Sequence, residues 1–481
     1  MFLKKYKEIL KFIRDKDIIS AWGYSLSNLL FGVLVLPFIL TKLSSPEINV
    51  WLLFLSILSF SELAVMGFNT TLVRFYSYTN AGIYYKDFEN IRIIQKRNTT
   101  ELIDKVKQFN DLYTITVVVM GIITILYFLL ITIGGYFFLK KPIGYLENSA
   151  IGWYAWIILI IANIIRVFFY TYPVILQGMN FVTKYYTLQT IVRTLNTVFS
   201  ILILLTFPSL LNLAIVYSGS IVILSLLFYY FVKIKNIQRH HFHFTAFKRD
   251  FFLIIWDSAW KSGAARITAP IILHASGIIF SQVANPALSS SYLLTQRVFN
   301  ILQNISNTIV NSKLPLIAML RGKKEFGNVN KVIKNVSLIG YSIILIGYFV
   351  IFLLGERLLV LIGSNTGFVS APILVLFSFA YLLNRNLGIQ LSLANQANKV
   401  LEHKAILIYG IVYFLFIGIN FSHLDIWVFP VAMIVGILVS MVYTFPKSYS
   451  LYNTNFWAFE RKSFLPILLI MGVFNILALL N

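Results

Sequence analysis

Residues 112–138 read LYTITVVVMGIITILYFLLITIGGYFF, and no charged side chain interrupts them. As a helix at 1.5 Å per residue the stretch covers about 40 Å, more than the roughly 30 Å of hydrocarbon in a bilayer. In lipid every backbone N–H and C=O must be satisfied within its own segment, so an isolated apolar run of this length implies a transmembrane helix. Similar stretches occur on both sides of it. The expected spans are 18–42, 48–72, 112–138, 152–177, 186–206, 211–232, 254–280, 288–313, 333–354, 370–396, 404–420 and 425–446. The tail 463–480, SFLPILLIMGVFNILALL, has the length either of a thirteenth span or of an interfacial helix.

Composition agrees. Only 12% of the 481 residues are charged and 58% are hydrophobic, whereas a soluble protein carries about 25% charged residues. The net charge of +22 would suggest nucleic acid in a water-soluble chain. Here the distribution excludes that reading. With the N-terminus in the cytoplasm and the lysines at span ends assigned to the adjoining side, thirty of the forty Lys and Arg residues fall in cytoplasmic segments, four (Lys42, Lys140, Lys141 and Arg357) fall outside, and six lie well within spans. This is the positive-inside pattern, and a single missed helix would scramble it. The chain reads as an all-α polytopic protein of the bacterial cytoplasmic (inner) membrane. The stretch 1–17 reads as an amphipathic helix on the inner leaflet, with Lys4, Lys5, Lys11 and Arg14 near anionic lipid head groups.

The seventh span opens as the first does, Ser258-Ala259-Trp260 against Ser20-Ala21-Trp22, and Ala269-Pro270-Ile271-Ile272-Leu273 follows as Leu36-Pro37-Phe38-Ile39-Leu40 does. A six-plus-six repeat of one orientation follows from this. It gives an N-lobe at 18–232, a basic linker at 233–253, a C-lobe at 254–446 and a cytoplasmic segment with the extra helix at 447–481. Two such lobes would enclose a central polar cavity.

The six intramembrane cations are Arg166, Arg193, Lys261, Arg266, Arg297 and Arg385, against two acids, Glu62 and Asp257. Each cation at a helix centre costs about 2.5–3.5 kcal/mol on insertion scales. Asp257 and Lys261 are four residues apart and suited to pair, and Glu62 can neutralise one more, which leaves four cations over. Polar residues accompany them. Gln296, Asn300, Gln303 and Asn307 step along one face of the eighth span beside Arg297. Thr190, Thr197 and Ser200 flank Arg193, Asn163 and Tyr170 flank Arg166, and Asn384 and Asn386 flank Arg385. Interhelical hydrogen bonding alone explains single Asn or Gln residues. Stripes that contain Arg point instead to a hydrated, positive lumen for an anionic substrate, since guanidinium suits bidentate phosphate contact. Glu62, Asp257 and His274 are the intramembrane candidates for coupling to a proton or sodium ion.

The cluster His240, His241 and His243 fits a solvated loop better than a metal site, and no cysteine is present. No G-x-x-x-x-G-K-[ST] sequence occurs, so ATP hydrolysis is not expected. Neither a catalytic constellation, a metal site nor a cofactor is expected.

The opening of the chain resembles the Wzx-type polysaccharide flippases of the multidrug/oligosaccharidyl-lipid/polysaccharide exporter superfamily. The residues that carry the resemblance are Leu36-Pro37-Phe38-Ile39-Leu40, the turn Leu43-Ser44-Ser45-Pro46-Glu47, Trp51-Leu52 and Gly67-Phe68. The resemblance implies alternating access between two six-helix lobes. It also implies an undecaprenyl-diphosphate-linked oligosaccharide, for O-antigen or a related surface polysaccharide, moved from the inner to the outer leaflet. A polysaccharide polymerase would be a transient partner. The rival readings are a drug or peptidoglycan-precursor exporter of the same superfamily, and a membrane glycosyltransferase or polymerase. The first predicts an acidic lumen or fourteen spans, and the second a large external loop.

Overall fold

A computed structural model describes residues 16–81, 105–234, 248–322, 325–396 and 401–480. These form fifteen α-helices and one 3-10 turn, with no strand among the described residues. In chain order they are α1 Lys16–Lys42, α2 Ser45–Ala81, α3 Lys105–Gly144, α4 Ser149–Phe168, α5 Thr171–Gly178, α6 Val182–Thr206, α7 Leu210–Ile234 and α8 Arg249–Val283. There follow α9 Pro286–Gly322, α10 Phe326–Leu361, α11 Ala371–Gln396, α12 Glu402–Leu424, the 3-10 turn Asp425–Trp427, α13 Val428–Ser450, α14 Phe456–Glu460 and α15 Phe464–Leu480. Each of the twelve expected spans corresponds to a long helix, the fourth being divided between α4 and α5. Among the described residues nine helical stretches are long and apolar enough to cross a membrane. The protein is a multi-pass membrane protein. Residues 1–15 of the expected N-terminal amphipathic helix 1–17, most of the loop after α2, the histidine cluster and most of the basic linker lie outside the described residues.

The apolar faces show what each helix is solvated by. On α3, Leu112, Ile115, Val119, Met120, Ile123, Tyr127 and Ile131 are buried, while Ile122, Leu126, Leu129, Leu130, Ile133 and Phe137 are exposed, Leu130 by 73%. In water such a stripe would drive aggregation; against lipid tails it costs nothing.

The chain divides into two compact units, Met1–Leu43 with Phe54–Ile267, and Ser44–Leu53 with Thr268–Asn481. In the first, α3 packs on α4, α4 on α7 and α6 on α7. In the second, α10 packs on α11, α11 on α13 and α12 on α13. Counting six helices per half and α4–α5 as one, these are the same three pairings: third on fourth, fourth on sixth, fifth on sixth. The second unit claims the start of α2 through polar contacts. Asn49 accepts from the Ser289 hydroxyl at 2.7 Å, Ser45 and Ser290 lie 3.2 Å apart, and Ser290 reaches Thr366 at 2.7 Å.

Caps follow from sequence. Glu47 reaches back over the start of α2, its carboxylate accepting from the Ser44 N–H at 2.9 Å and from the Ser44 hydroxyl at 3.0 Å. Asn285 caps α9 by accepting from the Leu288 N–H at 2.8 Å, and Pro286 occupies the first helical position. The α4–α5 break is the work of Pro173. It has no N–H for the carbonyl of Phe169 four residues back, and that carbonyl takes the Tyr172 N–H at 3.1 Å instead. The tight turn into α6 needs a left-handed residue, which Asn180 supplies at φ 67°. The Phe181 N–H then closes on the Leu176 carbonyl at 2.8 Å.

The C-terminal helix α15 packs lengthwise on α10. Phe464 meets Tyr341 edge-on at 5.3 Å, Phe474 meets Phe349 at 4.3 Å, and the Tyr348 hydroxyl donates to buried Asn475.

Close helix crossings depend on glycine. A Cβ on Gly178 would stand 2.4 Å from Tyr76 Cβ and 2.9 Å from the Val73 carbonyl oxygen, where α5 meets α2. Gly219 has nothing within 4 Å. Gly178→Ala is expected to destabilise by about 1–3 kcal/mol, the usual cost of overpacking, and Gly219→Ala to have no effect; thermal melts of the purified protein in detergent check both.

Candidate functional site

The polar stripe of α9 meets α11 rung by rung. The Tyr381 hydroxyl donates to Asn300 Oδ1 at 2.9 Å and lies 3.5 Å from the Gln296 carbonyl oxygen. Asn384 Nδ2 donates to Gln303 Oε1 at 3.5 Å, and Arg385 Nη1 donates to Asn307 Oδ1. Gln296 also donates to Ser276 of α8 at 2.9 Å. Spacings of four, three and four on α9 face spacings of three and one on α11, so the pairs fall in register along one helix face. Tyr381 is the rung that sequence reading missed. Its ring stacks on Phe299 at 5.0 Å, which aims the hydroxyl at Asn300.

Arg385 ends the ladder. It is 2% exposed, its described hydrogen-bond partner is a neutral amide, and its Nε–H has no partner among the described residues. Next to it, Asn386 is fully buried, and neither of its amide atoms has a partner among the described residues. Each such orphan costs about 1–3 kcal/mol if left unsatisfied, so this end of the seam holds unspent hydrogen-bonding capacity. Arg297, half-buried and one position off the stripe, lies within electrostatic reach of His274 on α8.

In the first unit Arg193 joins α6 to α1. Its Nη2 donates to Asn28 Oδ1 at 2.7 Å, its guanidinium lies 4.1 Å from the Phe31 ring centroid, and its Nε–H has no partner among the described residues. Its companions do not bridge helices. Thr190 and Thr197 donate to carbonyls of their own helix, at 2.9 and 3.0 Å, and Ser200 lies 3.4 Å from Asn196 Oδ1. Arg166 is half-buried in the last turn of α4, immediately before the Pro173 break, and buried Asn163 donates back to the Leu159 carbonyl at 2.9 Å. Asp257 is exposed on α8. The side chains of Glu62, Lys261 and Arg266, on α2 and α8, lie outside the described residues. The structure thus brings Gln296, Asn300, Gln303, Asn307, Asn384 and Arg385 into one seam, and holds Arg193 and Arg166 in the other unit.

Two charged contacts had no sequence signal strong enough to find. Lys248 pairs with buried Asp111 at 2.5 Å, fastening the residue before α8 to α3. Glu460, at the end of α14, is fully buried. No group of three or more His, Cys, Asp or Glu residues suited to a metal ion occurs among the described residues.

No protein-family model matches the chain, and no curated protein matches it by sequence. Solved structures do match. The inward-facing conformation of a multidrug resistance MATE family transporter of the MOP superfamily aligns with 89% of this chain and 96% of its own, at 13% identity and a TM-score of 0.66. An outward-facing conformation of a multidrug resistance MATE family transporter aligns with 91% and 94%, at 13% identity and a TM-score of 0.55. The fold is that of the MATE transporters. A MOP superfamily transporter from Pyrococcus furiosus, for which a binding pocket of reverse polarity is reported to suggest a different function, aligns with 91% of this chain and 94% of its own at 12% identity and a TM-score of 0.54. The MATE-type scaffold accounts for the two units and the recurrent helix pairings; the arginine-tipped seam is written in this chain's own residues.

The ladder's rungs differ in worth. Asn307→Leu strands the Arg385 guanidinium and is expected to cost about 1–3 kcal/mol. Tyr381→Phe removes a bond between neutral groups, worth about 0.6 kcal/mol in membrane helices. Thermal melts should rank Asn307→Leu as the less stable; the reverse order would mean that Arg385 does not depend on the ladder.

Proposed function

We propose that this chain is a transporter that flips undecaprenyl-diphosphate-linked oligosaccharide from the inner to the outer leaflet of the bacterial cytoplasmic membrane. The observation that carries the reading is the state of two intramembrane arginines, one buried and one half-buried. Arg385 in one unit and Arg193 in the other are held by neutral amides, Asn307 and Asn28, and each keeps an Nε–H without a partner among the described residues. Cations kept in a membrane without an acid bonded to them are costly, and an anionic substrate would offset that cost. A diphosphate offers the acceptor oxygens a guanidinium fits. The Asn and Gln rungs beside Arg385 match the hydroxyls of a sugar, and the apolar faces leave the polyprenyl chain in lipid. In this reading the N-terminus is cytoplasmic, as the distribution of basic residues supports, and Arg166, Lys261, Arg266 and Arg297 add to the positive potential.

The MATE fold favours one rival, export of drugs, because the similar structures include multidrug resistance transporters. Cationic drugs would be repelled by the arginines described above. Pocket polarity is also reported as a point of difference for the Pyrococcus furiosus transporter of this fold.

Translocation of a fluorescent polyprenyl-diphosphate oligosaccharide in proteoliposomes tests the proposal. Wild type should move it, and Arg385→Ala, with folding intact by thermal melt, should lose roughly ten- to hundredfold in rate, the equivalent of a charge-assisted hydrogen bond of about 1.5–3 kcal/mol. No movement of any such lipid, together with efflux of a cationic dye, would favour the drug exporter.

A further inference from the structure

Glu460 closes the short helix α14 between α13 and α15, outside the long membrane-crossing helices, and no solvent reaches it. Four neutral donors converge on its carboxylate. The Tyr449 hydroxyl reaches Oε1 at 2.6 Å, Gln390 Nε2 reaches the same oxygen at 3.2 Å, the Ser463 hydroxyl reaches Oε2 at 2.8 Å, and the Phe464 backbone N–H adds a fourth bond. The Gln390 amide is itself fixed, since the Ser448 hydroxyl lies 2.8 Å from its Oε1 and so turns the NH₂ toward Glu460.

The groups that face this carboxylate from each packed element can be named. Tyr341 of α10 lies within electrostatic reach of both Glu460 and Arg385. On α11, Arg385 precedes Gln390 by five residues, about 7.5 Å along the helix axis. Tyr449 comes from α13. Arg461 and Lys462 follow in sequence but are exposed, as is Lys447 of α13. Among the described residues no lysine or arginine bonds Glu460 directly. A carboxylate enclosed without a cation resists ionisation unless hydrogen bonds repay the desolvation. Burial pushes the Glu460 carboxyl above its ordinary pKa, against the opposing effect of the Tyr449, Ser463 and Gln390 bonds.

We propose that Glu460 is a proton-binding site whose charge offsets that of Arg385, so that proton uptake at Glu460 and anion capture at Arg385 favour each other. The second half rests on the anionic substrate proposed above; the first half does not. Ionised, Glu460 adds a buried negative charge within electrostatic reach of Tyr341, which is itself within reach of Arg385. When a proton from solvent neutralises it, Arg385 is left uncompensated and attracts an anion more strongly. By reciprocity a bound anion strengthens proton binding at Glu460 by the same factor. Anion affinity therefore rises as pH falls through the Glu460 pKa. A sodium ion in this place would need oxygen ligands, but Gln390 presents its NH₂.

Infrared difference spectra of the full chain in nanodiscs, recorded from pH 5 to 9, read the carbonyl stretch of a protonated carboxylic acid directly. A titrating band is expected in wild type, absent in Glu460→Gln. In Arg385→Gln its midpoint should move up by about one unit, a tenfold change in proton affinity. Tyr449→Phe keeps the carboxylate but removes a donor to its ionised form, and should also move the midpoint up; it carries the test if Glu460→Gln fails to fold. A band that survives Glu460→Gln, or no band in wild type, overturns the proton site. A midpoint unmoved by Arg385→Gln overturns the linkage. Binding of the polyprenyl-diphosphate oligosaccharide should tighten at low pH in wild type and be tight and pH-independent in Glu460→Gln; equal binding at every pH in wild type also overturns the linkage. If that lipid binds at no pH while the Arg385→Gln shift is present, the proposed substrate falls and the proton site stands.

Discussion

Hydrocarbon offers no hydrogen bonds, and the structure is organised by what that forbids. Backbone groups are closed within helices, and several helix starts are capped by a nearby side chain, as Glu47, Asn148 and Asn285 do. Side-chain polar groups face the same restriction. Across the α9–α11 seam they answer one another in register, so that α9, a helix of 37 residues with a polar stripe, remains buried in the second unit. Where the ladder reaches Arg385, the protein no longer answers every donor. A cation at that point is intelligible as a group held ready for something the protein does not contain.

The two units meet the restriction differently. In the first, Arg193 is pinned between an amide and an aromatic face, Asn28 and Phe31, both on α1. In the second, Arg385 sits deeper and ends a row of polar side chains, and a buried carboxylate, Glu460, lies within electrostatic reach of the same Tyr341 as Arg385. The repeat in helix pairing is therefore not matched by a repeat in charge. The C-terminal helix α15 belongs to this asymmetry: Ser463, the residue before it, bonds Glu460, and its Asn475 bonds Tyr348, contacts without a counterpart among the described residues of the first half.

The long helices were legible because charge-free apolar runs leave few alternatives in a chain of this composition. Their true ends were less so. α2 continues to Ala81 and α9 to Gly322, beyond the apolar runs, because a helix stops at a cap or a packing limit and not at the edge of its hydrophobic stretch. The α4–α5 break was written in Pro173 but hidden inside an apolar run. The α9 stripe and its Arg385 partner could be read from periodicity, since both ends of each rung are polar. Tyr381 escaped because a tyrosine among apolar residues reads as packing. Asn28, as partner of Arg193, escaped because a pairing between residues 165 positions apart leaves no local trace. Glu460 escaped for the opposite reason: an acid in a short segment beside Arg461 and Lys462 looks solvated, and only the return of α15 onto α10 encloses it.

The central claim is that the seam beside Arg385 is wet and positive. The chain has no cysteine, so one introduced thiol reports on one position. Gln303→Cys should be measured for its rate of reaction with small water-soluble thiol reagents that differ only in the sign of their charge. The account predicts that the thiol reacts, that the anionic reagent is faster than the cationic one relative to their rates with a free thiol, and that Arg385→Gln removes the difference. An unreactive thiol in folded protein, or a preference for the cationic reagent, would contradict it and leave the arginines as structural ties between helices.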